Sequence, residues 1–264
     1  MPWIPRGLRD GIVTTKYPRE SDGYGSGFRG TVEVNAGRTR QIPVGVVESC
    51  PTHAIDVGAD SVKLDRGKCV LCGVCVRLAP QVFSFAPSVE TAGLSRGALV
   101  VPEMAESSEE LDALRRALDQ RVRAFRRSIH VRHVDVGSDG SDEWEVAALT
   151  NPIYDVQRLG IYFTASPRHA DVLLVTGAGT AGMAESLRHT LEVMPNPKVV
   201  IAAGTEAVSA GVVANGYVTQ HGVSSLIDVD VYVPGSPATP FGLLYGILMA
   251  VNLLPRHGNA GGSG

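Results

Sequence analysis

The sequence predicts an α+β N-terminal part followed by an α/β C-terminal part, in which a parallel sheet carries helices on both faces. Two observations predict this division. All four cysteines and several short β-prone stretches fall within the first 103 residues, and the last segment alternates apolar runs with helical stretches. With 264 residues, of which 44% are hydrophobic and 19% charged, the chain has enough apolar material to build both cores.

We divide the chain into four segments and a tail. Residues 1–37 form a leader rich in Gly, Pro and Arg, which we expect to contact a partner. Residues 38–103 hold the cysteines, residues 104–128 form a linker helix, and residues 129–256 carry the parallel sheet. Residues 257–264 are expected to be a flexible tail, because the last seven of them are Gly-Asn-Ala-Gly-Gly-Ser-Gly.

The linker helix is predicted over residues 107–127. Ser107 or Ser108 is a suitable N-cap, and the two glutamates that follow suit the positive end of the helix dipole. Apolar residues recur at steps of three and four, which indicates one apolar stripe made of Leu111, Leu114, Leu118, Val122 and Phe125.

The C-terminal sheet is predicted from three short apolar runs, at 171–176, 198–203 and 228–233. Nearly continuous apolar runs are typical of strands that are buried on both faces. Residues 181–194 and 241–254 are predicted to be helices between and after these strands. Because short crossovers join parallel strands on alternate faces, the pattern favours a small doubly covered parallel sheet.

Charge and hydropathy exclude several classes of protein. The net charge of −3 argues against nucleic-acid binding, which usually needs a basic domain. The apolar stretch 241–254 is shorter than the roughly 20 residues that a membrane span requires. Since the start shows no secretory pattern, we expect a cytoplasmic protein, in which cysteines usually serve metal binding or catalysis.

The cysteines have the spacing of an iron–sulfur site. Cys69, Cys72 and Cys75 form C-x2-C-x2-C, and Cys50 is followed by proline like the closing cysteine of such motifs. The place of a fourth cysteine after the triplet is taken by Ala79. One 4Fe–4S cluster would therefore use every cysteine of the chain. The alternatives are a zinc site made of the four thiolates, or cysteines that are simply buried.

Residues 7–103 resemble the ferredoxin-like subunit of formate hydrogenlyase and related complexes, and the two-cluster subunit of complex I. The lead-in segments 14–20 and 27–30 carry the resemblance together with the cysteines. The resemblance implies a bacterial-ferredoxin-like domain over residues 38–103. This sequence departs from that family because it retains the ligands of only one of two clusters.

Residues 128–256 resemble the small subunit of group 4 nickel–iron hydrogenases and the cluster-bearing 20 kDa subunit of complex I. The matching segments are 127–135, 147–152, 154–161, 166–177 and 231–235. The resemblance implies a flavodoxin-like fold. It also implies partners, namely a large subunit of the hydrogenase or complex I 49 kDa type and membrane subunits, which the leader is expected to contact.

The family's second cluster site has lost its cysteines in this sequence. The resemblance places its four ligand positions at Asp139, Asp142, Glu206 and Ser236. Hard oxygen donors do not hold iron–sulfur clusters well, so we expect no cluster there. Two alternatives remain for the site. It holds Mg²⁺, Mn²⁺ or Ca²⁺, or it is filled by water, salt bridges or a basic side chain.

The segment Gly177–Gly182 matches the G-x-G-x-x-G dinucleotide fingerprint, but we expect no nucleotide because the resembling family binds none. The sequence therefore predicts an iron–sulfur electron-transfer subunit of an oxidoreductase complex, not catalytic alone. We expect it on the cytoplasmic face of the inner membrane, held there by its partners. The alternative is a non-redox structural or regulatory subunit of such a complex.

Overall fold

The computed structural model describes residues 3–20, 28–35, 37, 42–43, 45–58, 61–102, 107–125 and 128–254. Its helices and strands are, in chain order, α1 Trp3–Asp10, β1 Thr31–Val34, β2 Ile55–Val57, β3 Val62–Asp65, α2 Val74–Leu78, β4 Phe83–Ala86, β5 Val100–Val101, α3 Ser108–Val122, β6 Ile129–Asp135, α4 Ser141–Ala148, β7 Ile161–Phe163, β8 Val172–Thr176, α5 Ala184–Val193, β9 Val199–Ala203, α6 Gly204–Ser209, β10 Val231–Val233 and α7 Pro240–Ala250.

The C-terminal part is built on a five-stranded parallel sheet. Its strand order is β7-β6-β8-β9-β10, and every neighbouring pair is parallel. Numbered from β6, this is the order 2-1-3-4-5 of flavodoxin-like folds. The prediction of a parallel sheet is confirmed.

Both faces of this sheet are covered, as predicted. Val172 and Leu174 of β8 pack in the core on the side of α3, α4 and α7, whereas Leu173 and Val175 pack on the side of α5 and α6. All of β8 is buried because its side chains alternate between these two cores. The apolar composition of the central strands follows from that double burial.

Several elements differ in length from the prediction. β10 begins only at Val231 rather than at residue 228. Asp230, just before it, accepts a side-chain hydrogen bond from the N–H of Val200 at 2.9 Å and donates its own N–H to the Val200 carbonyl. α3 ends at Val122 rather than at residue 127. Of the two candidate N-caps it uses Ser107, which forms a capping box with Glu110. α7 ends at Ala250, and Asn252 beyond it lies in the left-handed region at φ 54°.

The N-terminal part consists of two small antiparallel sheets, β1–β4 and β2–β3–β5. β1 belongs to the segment that the sequence suggested as a leader, and it pairs along its whole length with β4. Ala79, which takes the place of a fourth cysteine after the triplet, is buried in the apolar core of this part.

The two parts pack against each other. Gly93 exchanges two backbone hydrogen bonds with Tyr232 of β10, at 2.9 and 2.8 Å, so the segment before β5 extends the edge of the parallel sheet. Leu99 is buried in the core between that sheet and α5 and α6. The Tyr17 ring is likewise buried and stacks edge-on against Phe241 of α7. Among the described helices, none is long and apolar enough to cross a membrane.

Candidate metal centre

The four cysteines line one small apolar pocket in the N-terminal part. Cys69 and Cys72 precede α2, Cys75 lies on α2, and Cys50 comes from the turn before β2. The other walls of the pocket include Val32, Ile55 and Leu64. Cys75 is buried, Cys50 and Cys69 are partly buried, and Cys72 is exposed; all four are free thiols. The structure thus places all four predicted cluster ligands around one space.

The loop that carries the cysteines needs unusual backbone angles. Leu71 and Gly73 have φ values of 54° and 73°, in the left-handed region. A Cβ at Gly73 would lie 2.9 Å from Cζ of Phe85, so only glycine fits there without a shift. This tight winding allows a C-x2-C-x2-C segment to turn its three sulfurs toward one pocket.

Backbone amides lie close to the cysteine sulfurs. The N–H of Ala54 donates a hydrogen bond to Sγ of Cys50 at 3.3 Å. The amides of Leu71 and Val76 act to lower the pKa of Cys69 and Cys75, against the larger effect of burial. Such donors stabilise negative charge on sulfur, and hydrogen bonds to sulfur are one of the means by which proteins tune iron–sulfur clusters.

Burial disfavours the thiolate forms in the absence of a positive partner. Burial, with the neighbouring cysteines adding to it, raises the pKa of the Cys69 thiol to about 12. Burial and the proximity of Cys72 and Cys50 also raise the pKa of Cys75. Four thiolates in this pocket therefore require a cationic centre to compensate their charge.

The donor set consists of four cysteine sulfurs around one pocket. Within the described residues, no three Cys, His, Asp or Glu side chains lie at the spacing that one metal ion would need. Each thiolate of a four-iron cluster binds a different iron, so the sulfurs surround the cluster and need not converge on one point. Soft thiolates are also the preferred ligands of iron–sulfur clusters. The residues fit a 4Fe–4S cluster.

The degenerate second site lies at the carboxyl ends of the parallel strands. Asp142, at the start of α4, is 2% exposed, and its carboxylate accepts a hydrogen bond from the N–H of Ala238 at 2.8 Å. Burial raises the pKa of this carboxyl to about 7, and the negative charges of Glu143, Glu206 and Asp139 act in the same direction. An acid in this environment favours its protonated form over ligation of a cation.

The four positions differ in burial and in hydrogen bonding. Burial and the charge of Asp139 raise the pKa of Glu206, whose Oε2 is buried with no hydrogen-bond partner among the described residues. Asp139 is exposed and accepts two hydrogen bonds from Ser141, which lower its pKa. Ser236 is exposed. The fold therefore gathers the three acidic positions, but they do not form an ion site at ligand spacing.

A hydrogen-bonded row of side chains beside this site was not expected from the sequence. His133 Nε2 lies 2.9 Å from the Thr176 hydroxyl, which donates to Glu143. The Ser138 hydroxyl donates to the other oxygen of Glu143 at 2.8 Å. Burial lowers the pKa of His133. No sequence pattern signals the row, because its members come from β6, the following loop, α4 and β8.

The two sites adjoin through α6. The Thr205 hydroxyl donates to the backbone carbonyl of Cys69 at 3.2 Å, and the Ser209 hydroxyl donates to that of Gly67 at 2.9 Å. The cysteine loop therefore rests on the helix that carries Glu206. The sequence predicted both sites but not their contact.

The glycine-rich loop uses its own amides within the protein. The N–H groups of Ala178, Thr180 and Ala181 donate to the carbonyls of Gly137, Val136 and Val218 at 2.8–2.9 Å. Residues 181–183 form a 3₁₀ turn before α5. A dinucleotide site needs such amides free to bind phosphate, so this geometry favours a purely structural loop.

Comparison with known proteins places the chain in a family. Residues 140–250 match the family model described as the NADH ubiquinone oxidoreductase, 20 Kd subunit. A probable membrane-bound hydrogenase subunit of Pyrococcus furiosus is 35% identical over 150 residues, which cover 57% of this chain and 90% of that protein. This chain belongs to the 20 Kd subunit family.

Further proteins are similar to parts of this 20 Kd family member. An uncharacterized protein of Methanocaldococcus jannaschii is 42% identical over 47% of this chain and 82% of its own length. Formate hydrogenlyase subunit 7 of Escherichia coli is 38% identical over 54% of this chain, but the match spans only 56% of that protein. A chain from the structure of the membrane-bound sulfane sulfur reductase, an archaeal respiratory membrane complex, aligns with 30% identity and a TM-score of 0.44, covering 50% of this chain and 75% of that one.

Proposed function

We propose that this chain is an iron–sulfur electron-transfer subunit of a membrane-associated oxidoreductase related to complex I and group 4 hydrogenases. It would hold one 4Fe–4S cluster through Cys50, Cys69, Cys72 and Cys75, and none at the second site. The observation that carries the proposal is the arrangement of all four cysteines around one pocket, with the N–H of Ala54 donating to the sulfur of Cys50.

The chain's own groups would hold the cluster and set its environment. The four thiolates bind it, and the amides of Ala54, Leu71 and Val76 stabilise the negative charge on the sulfurs. The exposure of Cys72 leaves one edge of the site near solvent or a partner. When bound, such a cluster accepts and donates one electron at a time.

The partners are proposed from the relatives. The Pyrococcus relative is a probable membrane-bound hydrogenase subunit, and the Escherichia coli relative is a subunit of formate hydrogenlyase. By analogy, a large subunit of the hydrogenase or complex I 49 kDa type would contact this chain, and membrane subunits would hold the complex on the cytoplasmic face of the inner membrane. We propose no nucleic-acid or nucleotide partner.

Two exposed apolar features are suited to such contacts. Trp144 lies on α4, beside the second site, and is 79% exposed. α1 presents exposed Trp3, Ile4 and Leu8. Large exposed apolar side chains on an otherwise ordinary surface mark interaction sites.

A redox titration tests the function. We expect the anaerobically purified chain to show a reversible one-electron transition that Cys75→Ala abolishes. Reduced protein should also pass its electron to the large subunit with which it is purified. Reversible reduction without transfer to that partner would contradict the electron-transfer function.

The replaced cysteines of the second site favour one other candidate, a non-redox structural or regulatory subunit. At one position where the family resemblance places a cysteine, this chain has Asp142, which accepts a hydrogen bond from Ala238. Without a cluster there, an electron path through the second site would be interrupted. A cluster that stays inert at all accessible potentials would support this candidate. Stoichiometric Mg²⁺, Mn²⁺ or Ca²⁺ lost in Asp142→Asn would further support its variant with a cation in the second site.

A further inference from the structure

A second pocket lies at the junction of the two parts, next to the cysteine pocket. Its volume is about 340 Å³, and it shares Pro51 and Thr52 with the wall of the cysteine pocket. The remaining walls come from the segment before Cys69 and from the turns after α6. A concavity of this size is within the range of small-molecule sites.

The charged side chains around this pocket are all basic. Those that line it are Lys68 and Arg96, joined by His53 and His221, while the described lining includes no Asp or Glu. Hydroxyl and amide groups of Ser209, Asn215 and Ser224 complete the polar wall. In a chain whose net charge is −3, such local segregation of positive groups indicates an anion site.

The guanidinium of Arg96 is held in place and still lacks an acceptor. Its Nη2 donates to Oδ2 of Asp65 at 2.7 Å, and the side chain is 29% exposed. Its Nη1 is buried against Gly67 and has no hydrogen-bond partner among the described residues. Arg96 therefore contributes a positive charge that is held at the pocket wall by Asp65, through the part of its side chain that is exposed.

Lys68 adds a cation that the protein itself leaves available. Within the described part of the chain, its ammonium joins no ion pair or side-chain hydrogen bond, although the residue is partly buried. Lysine and arginine together are typical ligands of phosphate and carboxylate groups.

The two histidines hold unusual backbone conformations. His53 and His221 have φ values of 49° and 59°, which residues other than glycine seldom adopt. Both line the same pocket, His53 from the N-terminal part and His221 from the C-terminal part. Strain of this kind concentrates at binding sites, where the surrounding structure maintains it.

From these observations we infer that the junction pocket binds a small anionic molecule carrying phosphate or carboxylate groups, held by Lys68, Arg96 and His221. The ligand would bridge the N-terminal part, through Lys68 and Arg96, and the C-terminal part, through His221. This inference does not depend on the cluster in the neighbouring pocket.

Calorimetric titration of the full chain with two probes tests the inference, in buffer free of phosphate. Inorganic pyrophosphate represents phosphate ligands and tricarballylate represents carboxylate ligands. We expect saturable one-to-one binding of at least one probe, and the stronger one identifies the ligand class. We also expect the bound probe to raise the thermal midpoint, because it binds only the folded chain.

Two variants each remove one proposed ligand group and are chosen to keep the local backbone. Lys68→Met keeps the length of the side chain, and His221→Asn keeps a residue that tolerates positive φ. Each should weaken binding by at least about tenfold, whereas Lys16→Met, whose ammonium is exposed and pairs with Glu20, should leave it unchanged.

Three results would overturn the inference. Neither probe binds saturably, or the Lys68 and His221 variants bind as tightly as the parent chain. Equal weakening in Lys16→Met would indicate attraction to general surface charge rather than a site. Circular dichroism of each variant confirms that lost binding does not reflect lost folding.

Discussion

The side-chain hydroxyl of Thr205 donates a hydrogen bond to the backbone carbonyl of Cys69, 136 residues earlier in the chain, at 3.2 Å. Thr205 is 1% exposed and directly precedes Glu206, one of the acidic residues of the degenerate site. This hydrogen bond thus joins the loop of the proposed cluster to α6, the helix that carries Glu206 of the degenerate second site. The conformation of the cysteine loop depends on the C-terminal part.

Replacing Thr205 by valine tests this dependence. The variant keeps the shape but leaves the Cys69 carbonyl without its donor, so we expect the free energy of unfolding to fall by about 1–2 kcal/mol. The control is Thr190→Val, whose exposed hydroxyl donates within α5 and whose loss should have little effect. Anaerobic urea denaturation measures both variants, and equal effects would contradict the proposed role of Thr205.

Gly73 is predicted to be indispensable to the cysteine loop. Gly73→Ala places a Cβ 2.9 Å from Phe85 at a φ of 73°. We therefore expect the free energy of unfolding to fall by about 1–2 kcal/mol and the iron content of the purified chain to be reduced. Gly182→Ala is the matched control, because a Cβ there meets nothing within 4 Å. Iron assay after identical anaerobic purification compares them, and undiminished iron in Gly73→Ala would refute the loop geometry.

The raised pKa of Asp142 predicts that the free energy of unfolding of the chain falls as the pH rises. Its folded pKa of about 7 lies above the ordinary 3.8, so the folded chain retains a proton that the unfolded chain has released. Stability therefore decreases between these two pKa values and levels off above the higher one. Asp142→Asn can still accept the hydrogen bond from Ala238 and carries no charge.

We accordingly expect Asp142→Asn to be the more stable protein at about pH 8, by an amount on the order of 2–4 kcal/mol. Thermal midpoints measured from about pH 5.5 to about pH 8 should decline less steeply in the variant. Identical slopes in the two proteins would mean that Asp142 is charged in the folded state.

Trp144 is predicted to contact the large subunit. Trp144→Glu should leave the isolated chain folded, because the side chain is 79% exposed, and should weaken binding to the co-purifying partner by at least about tenfold. Tyr217→Glu, at an aromatic residue that is 98% exposed in the segment after α6, serves as the control. Pull-down at equal concentrations compares them, and unchanged capture by Trp144→Glu would remove this surface from the interface.

The local pattern of the sequence was sufficient for the sheet and for the capping of α3. β8 and β9 are apolar throughout because both of their faces are buried, and Ser107 caps α3 through a box that is visible in four residues. The later start of β10 was not predictable, since the hydrogen bond between Asp230 and Val200 joins residues that are 30 positions apart.

The candidate sites were likewise predictable only in part from the sequence. The cysteine spacing alone indicated which residues would meet, whereas the contact of Thr205 with Cys69 arises from the packing of two distant segments. The G-x-G-x-x-G match was ambiguous in sequence, because only the structure reveals where the loop amides donate. The basic junction pocket joins residues 53, 68, 96 and 221, a set with no common motif.

Iron and acid-labile sulfide analysis, combined with EPR of the dithionite-reduced chain, tests the central claim most directly. The account predicts about four iron and about four sulfide per chain, with one S = 1/2 signal that Cys72→Ala removes. Values near eight iron per chain, with a second signal that survives Cys72→Ala and disappears in Asp142→Asn, would contradict it.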